Sequence, residues 1–531
     1  MEQALTTRFL IAATSSGVAA YVYALFFESL RNKEVGDTLL GCALVAQGIE
    51  HRSPKAGVGR SNRLGGTEMQ RRLGLRPVLC FLYSEGYPGT WLWHRVSERR
   101  RHKQDGGDVN RVLGRLLSHP LTRNSAFMHL WAGQTAAEFG FQVATLATSA
   151  IAISLLHATE SEIGVLAGLQ TLAFLLIGLP AGAWVDRWRK RRVMIVADLV
   201  RVLALISIPI AYQWFSLTLT HLMVVAALLG LATVFFDVAY QSYVPVIAST
   251  RYIAAANGRL EASYQVGAAG GPGLGGWLLG VFAPPLAYIF TAATYVFSTV
   301  AIWRIRTPEP QPVRSSASLF AQIREGLSFV RHERLLFPLF SCISFAAFTG
   351  SGIRVLLPIL VLRTLGMNAT QLGVLLSAGA LGGILGAMTR SLWLERLGIG
   401  RCIVATYVVG VSILVLQPAA LHVPAIAGWV IAGAGVVYSY FITIYNVTQM
   451  SLRQEICPKQ MLGRMNATFR FAVWGVMPLG SVAAGLLASI VGVEAAMYIF
   501  VVLSVLAGAA MAFTPAARIK DSYIALDPSQ N

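Results

Sequence analysis

The chain has 531 residues, 55% of them hydrophobic and only 13% charged, with a mean hydropathy of +0.59. An ordinary soluble globule does not carry that composition, so the chain reads as a polytopic membrane protein. Its net charge of +18 could indicate nucleic acid, but the basic side chains gather in short loops between apolar runs, which is a topology signal, and nucleic-acid binding is set aside. The cysteines Cys42, Cys80, Cys342, Cys402 and Cys457 have no paired spacing and no clustered histidines. Neither a disulfide framework, a metal site nor a cofactor is indicated.

Residues 1–118 differ from the rest. Phe9 to Phe27 is apolar and charge-free but rich in Thr, Ser, Gly and Ala, a marginal spanning or signal-like segment. From Glu28 to Arg115 the chain is polar and without a sustained period, which indicates disorder rather than a fold. Val45 to Ser61 resembles the peptide obtained when a transfer-RNA gene region is translated conceptually, which points to an overextended reading frame. The alternative is a basic tail lying against anionic lipid.

From Leu121 to Phe513, apolar runs long enough to cross a ~30 Å hydrocarbon layer follow one another, about twelve in all. Two of them, Ile163 to Val185 and Val193 to Phe215, are joined by a loop holding Arg187, Arg189, Lys190, Arg191 and Arg192. That loop belongs on the cytoplasmic side by the positive-inside rule. The turns at His157 to Glu162, Gln213 to Thr220, Phe282 to Pro285, Gln417 to Pro424 and Val491 to Glu494 carry no Lys or Arg. The alternate turns hold Arg251 and Arg259, Arg304 and Arg306, Arg390 and Arg396, and Arg453, Lys459 and Arg464. Both ends of the helical region are therefore expected in the cytoplasm. A Pro-rich stretch starting at Thr307 marks a linker. The expected division is an N-terminal bundle over 119–305, a cytoplasmic linker over 306–335, a C-terminal bundle over 336–518 and a cytoplasmic tail over 519–531.

The two halves resemble each other. Asn257 precedes the glycine-rich stretch Gly267 to Leu279, as Asn466 precedes Pro478 to Leu487, and aligning the asparagines also aligns Gly276 with Gly485. Gly168 to Gly182 likewise parallels Gly373 to Gly386. The fold class that follows is all-α integral membrane, two pseudo-symmetric six-helix bundles with any transport path at their interface.

Charges inside spans cost several kcal/mol unless paired or hydrated, so they mark pathways. Glu138, about ten residues into the first helix, is expected near mid-depth and is the first candidate proton carrier. Asp237, lower in the fourth helix, is the second. A purely structural role for Glu138 would be to pair with Arg201. Arg354, toward the outer half of the seventh helix, either lines the path or snorkels to the outer surface. Gln142, Tyr240, Tyr440 and Tyr445 are candidate cavity residues with Arg354, and Tyr243 and Tyr438 also qualify, although aromatic packing between helices explains the tyrosines equally well.

At the loop, Asp186 can face the positive end of a neighbouring helix and pair with an arginine only while the cytoplasmic side is closed, which makes it a latch candidate. Asp198 and Arg201 share a helix face and are expected to join that network. In the fifth helix, Gly267, Gly271, Gly275 and Gly276 clear a face for close backbone approach, and Pro272 invites a bend.

The run from Gly182 through Asp186 and Arg187 to Arg191 and Arg192 resembles the loop two-three signature of the major facilitator superfamily. Gly267 with Gly271, Pro272, Gly275 and Gly276 is similar to the fifth-helix signature of its drug and proton antiporters. The resemblance covers roughly Leu121 to Lys520, and the basic loop is similar to that of the bacterial branch containing siderophore exporters and macrolide efflux proteins, although Arg189 stands where many members have glycine. It implies a non-enzymatic, monomeric exporter of the bacterial inner membrane, exchanging protons for a hydrophobic or amphipathic small molecule of the drug or siderophore class by alternating access. No Gly-x-x-x-x-Gly-Lys-Ser/Thr string is present to drive a nucleotide-powered pump. The rival readings are an uptake carrier of the same fold and a transport-inactive membrane receptor or scaffold.

Overall fold

A computed structural model of the protein describes residues 120–519, apart from 249–251, 310–327, 329, 334–335 and 458–461. The expectations for residues 1–118, for most of the 306–335 linker and for the tail past 519 lie outside the described residues, as do Arg251, Lys459 and the side chains of Arg464 and Asn466.

Among the described residues, after a short turn of helix at Pro120–Arg123, twelve long helical elements follow. They are α1 (Ser125–Leu155), α2 (Glu160–Asp186), α3 (Lys190–Trp214), α4 (Leu219–Ile247), α5 (Ile253–Val281) and α6 (Ala287–Trp303). The second set comprises α7 (Leu336–Thr364), α8 (Ala369–Leu397), α9 (Ile399–His422), α10 (Ala427–Ile456), α11 (Leu462–Val491) and α12 (Val493–Ala512). Their starts are set by side chains that take up otherwise orphaned backbone N–H groups. Asn124 accepts from Phe127 N, Thr218 accepts from His221 N, and the pairs Thr159–Glu162 and Asn368–Gln371 form reciprocal capping boxes.

Eleven of these helices are long and apolar enough to cross a membrane by length and composition. The exception is α5, whose first half carries Asn257, Arg259, Glu261 and Gln265. Its place is set by packing against α1 on one side and α8 on the other, not by hydropathy.

Within the first bundle α1 packs on α5 and α6, α3 on α4 and α6, and α2 on α4; within the second, α7 packs on α11 and α12, α8 on α10, and α9 on α10 and α12. Two long seams, α2 with α11 and α5 with α8, join the bundles. One constant displacement along the chain relates the halves. It carries the π-turn Ile151–Leu155 at the end of α1 onto Leu360–Thr364 at the end of α7, and the capping box at Thr159 onto that at Asn368. It also carries Gly276 onto Gly485, as expected, but places Gly164, not Gly168, opposite Gly373. The expected parallel of Gly168–Gly182 with Gly373–Gly386 is thus out of register by about one helical turn. Glycine spacing repeats at that interval within a helix and does not fix a register.

The buried core is continuous at one end of the molecule and divided at the other. At the end away from the basic loops, Ile151, Ile163, Leu278, Leu356, Leu360 and Ala484 belong to a single cluster drawn from both bundles. That cluster also runs down the second bundle to Leu452, Met511 and Ile519 at the basic-loop end, where two further clusters form separately, one around Phe127, Met194 and Phe236 of the first bundle and one around Leu336, Met465 and Phe469 of the second. A small cluster of Phe174, Ala181 and Val234 with Trp474 against it bridges the gap on the α2–α11 side.

Candidate functional site

The closed end is built on backbone proximity. A β-carbon on Gly276 would stand 3.0 Å from Gly373 Cα, and one on Gly164 2.9 Å from Gly485 Cα, so on both seams two helices touch where neither has a side chain. An ion pair crosses there: Arg363 Nη1 of α7 lies 2.7 Å from Glu160 Oε1 of α2, and Arg363 Nη2 donates to the Ala158 carbonyl.

The fifth-helix motif and the first candidate acid form one packing unit. Gly267, Gly271 and Gly275 recur at helical spacing on the face of α5 turned to α1. A β-carbon at Gly267 would lie 2.5 Å from Glu138 Cγ, one at Gly271 2.5 Å from Gln142 Cβ, and one at Gly275 3.2 Å from Leu146 Cδ2. Gly276 faces the opposite way, toward α8, and α5 runs as unbroken helix through Pro272. Gln142 Nε2 donates to Glu138 Oε1 at 2.8 Å. The pairing of Glu138 with Arg201 is not formed. Arg201 turns instead to Asp198, 2.8 Å away, and to the rings of Phe236 and Tyr295.

Asp237 meets a partner that the sequence did not suggest: Arg470 of α11, at 3.2 Å across the gap between the bundles. Both side chains are partly exposed, 26% for Asp237 and 37% for Arg470. Arg470 sits two turns inside α11, past the basic loop, and an arginine that far into an apolar helix was the available signal. Glu261 on α5 accepts from Gln265 of its own helix at 2.9 Å. Glu138, Asp237, Glu261 and Arg354 all lie within electrostatic reach of Tyr264 on α5, and Arg354 also reaches Tyr438 on α10. The exposed Arg354 side chain therefore looks between the bundles, with Met477 Sδ at 4.0 Å, rather than snorkelling to the outer surface.

The tyrosines divide. Tyr240 stacks on Phe236 and feels the charges of Asp237 and Glu261. Tyr440 accepts hydrogen bonds from Thr389 and Trp393 of α8 at 2.8 and 2.9 Å. Tyr445, 3% exposed, packs on Tyr407 in the core of the second bundle, and Tyr243 is fully buried in the first; these two are core residues, not cavity lining.

At the basic loop the contacts in this structure are local to the first bundle. Asp186 is 59% exposed and its partner is Lys190 of the same loop, at 4.0 Å. The acid that faces a helix N-terminus is Glu309, which accepts from the backbone N–H groups of Lys190 and Arg191 at 2.8 and 3.0 Å. Arg191 in turn donates to the carbonyls of Ile302 and Trp303 at the end of α6. The loop thus fastens α3 to α6 within one bundle, in addition to any topological role. Arg187 and Arg192 are exposed, and a β-carbon on Gly182 would meet nothing within 4 Å. Asp198 and Arg201 do not join this network. They lie two to three turns into α3, 0% and 4% exposed, with Ser298 Oγ of α6 donating to Asp198 Oδ2 at 2.7 Å.

Residues 118–530 match the profile of a family described as transmembrane secretion effectors. The chain is similar to the multidrug efflux pump Tap of Mycolicibacterium fortuitum, 27% identical over 386 residues that cover 70% of this chain and 90% of that protein. It is also similar to multidrug resistance protein 1 of Bacillus subtilis, 24% identical over 45% of this chain and 59% of that protein. Among solved structures, a bacterial homologue of the iron transporter ferroportin in an inward-facing state superposes with a TM-score of 0.58 at 15% identity, covering 73% of this chain and 97% of that one. A bacterial homologue of the lysosomal transporter Spinster, inward-facing and occupied, gives 0.57 at 15% identity over 77% and 98%.

Proposed function

Because the chain belongs to the transmembrane secretion effector family of the major facilitator superfamily, we propose that it is a secondary active exporter, moving a hydrophobic or amphipathic small molecule of the drug or siderophore class out of a bacterial cell in exchange for protons. The observation that carries this reading is the divided core: one cluster joins both bundles at the far end, whereas at the basic-loop end the cluster of the first bundle is separate from those of the second, which supports a cleft open toward the basic loops. By the positive-inside rule that end faces the cytoplasm, where an exporter collects its substrate. The substrate enters between the bundles, against Tyr240, Tyr264 and Arg354. Glu138, held by Gln142 and seated on Gly267 and Gly271, carries the proton. Rocking of the bundles about the glycine seams then closes the cytoplasmic end and opens the other, with Asp186 finding its latch partners only in that second state. The efflux names of the relatives support export over uptake.

The test is transport in inside-out membrane vesicles from an efflux-deficient bacterium. With an acid interior, vesicles containing the protein should accumulate a lipophilic dye or drug that control vesicles do not, and collapsing the pH gradient should release it. Gradient-independent equilibration would remove proton coupling, and movement only in the opposite orientation would make the protein an uptake carrier.

A further inference from the structure

The repeat displacement that carries Gly276 onto Gly485 also carries Asp237 of α4 onto Asn446 of α10, and Glu261 of α5 onto Arg470 of α11. The ion pair Asp237–Arg470 joins α4 to α11 across the gap at 3.2 Å. Its symmetry counterpart joins α10 to α5 and consists of Asn446 and Glu261. In this structure that second contact is not made. Asn446 and Glu261 are both exposed, and Glu261 is engaged by Gln265 one turn along its own helix. The bridging aromatic pair Phe174–Trp474, with centroids 4.7 Å apart, lies on the α2–α11 side as well. The basic-loop end is thus drawn together on one side and apart on the other.

We propose that Glu261 and Asn446 are gate residues for the transport cycle, meeting across the α5–α10 gap when the basic-loop end closes, as the pseudo-symmetric partner of Asp237–Arg470. This rests on the alternating-access reading above. The chemistry fits: the Asn446 amide donates to the Glu261 carboxylate, which exchanges its Gln265 amide for an equivalent one on the other bundle, so closure leaves no acid newly bare. It also makes the two contacts unequal. The α4–α11 contact is charged on both sides, the α5–α10 contact on one, and the weaker one is the one found open.

The experiment uses full-length protein in lipid vesicles, with cysteines introduced at Glu261 and Asn446 and oxidative cross-linking as the readout; each single variant serves as a control. Closure is favoured by loosening the opposite end in two independent ways, Gly276→Leu, which crowds the α5–α8 seam, and Glu160→Gln, which removes the ion pair to Arg363. Either should raise the cross-linked fraction, about fivefold for the loss of a partly exposed ion pair. Independently, Asn446→Arg should protect a reporter cysteine at Tyr264 from reagents reaching it through the basic-loop end, because Glu261 would gain a full ion pair in the closed state. A pair that fails to cross-link, while reagents show the far end opening in Gly276→Leu or Glu160→Gln, overturns the inference and leaves alternating access standing. If instead the far end opens in neither variant, the underlying reading falls and the inference with it.

Discussion

The two bundles share a fold but handle the middle of their cores differently. In the first, Asp198 and Arg201 form a buried ion pair, with Ser298 on the carboxylate and Phe236 and Tyr295 about the guanidinium. At the equivalent positions of the second stand Tyr407, Gly410, Ala507, Tyr445 and Ser504. There the contacts are neutral: Tyr407 and Ser504 hydroxyls 2.8 Å apart, Thr349 donating to Ser504 at 2.9 Å, and Tyr407 against Tyr445. A six-helix bundle of this pattern therefore does not require an ion pair at these positions. The cleft repeats the asymmetry: Glu138, Asp237 and Glu261 come from the first bundle, Arg354 and Arg470 from the second. The carboxylates are thereby placed on one half and the arginines on the other, so relative movement of the bundles would change what each carboxylate faces.

The comparison is broken most severely at Arg201. Arg201→Met leaves Asp198 buried without its partner and should cost about 3–5 kcal/mol, seen as a large fall in detergent thermal stability, whereas Asp198→Leu with Arg201→Met should recover most of it. Equal losses in the single and double variants would mean that the pair itself stabilises the bundle. Gly267→Ala should come next. Its β-carbon would overlap Glu138 Cγ and cost about 1–3 kcal/mol, with proton-driven transport falling further than passive exchange because the acid is displaced. The equivalent position of α11 holds Val476, so the second bundle already carries a branched side chain there and the need for glycine belongs to the first bundle alone. Glu160→Gln, breaking the Arg363 ion pair across the closed end, should shift the population outward by about 1 kcal/mol, read as increased labelling of a cysteine placed at Gly168. Gly182→Ala, with open space around it, should change stability by less than about 0.5 kcal/mol. A loss of transport in that variant would assign Gly182 to contacts made only in the other state of the cycle.

The architecture was legible because bilayer crossing leaves a strong composition signal, and eleven spans carry it without ambiguity. The fifth helix was legible through glycine spacing, since its polar first half conceals it from hydropathy. Glu138 and Asp237 stood out because a carboxylate in an apolar run is an anomaly wherever it sits. Their surroundings did not. Which side chain meets Asp237 depends on the approach of α11 from the other half of the chain, and no local spacing encodes it. The same holds for Glu309 and Arg191, which meet because α6 ends beside the start of α3. The loop signature drew attention to this stretch, but its charge pattern does not say which groups the loop meets in this structure, because Glu309 and the end of α6 come from more than a hundred residues away.

Proton release on substrate binding decides whether Glu138 is the proton carrier. The purified protein, in weakly buffered detergent, is mixed with a compound that the vesicle assay identifies as transported, and the pH is followed. The wild-type protein should release a proton on binding, and Glu138→Gln should bind the compound without releasing one. A Glu138→Gln protein that still released its proton would contradict the assignment and pass the role to Asp237.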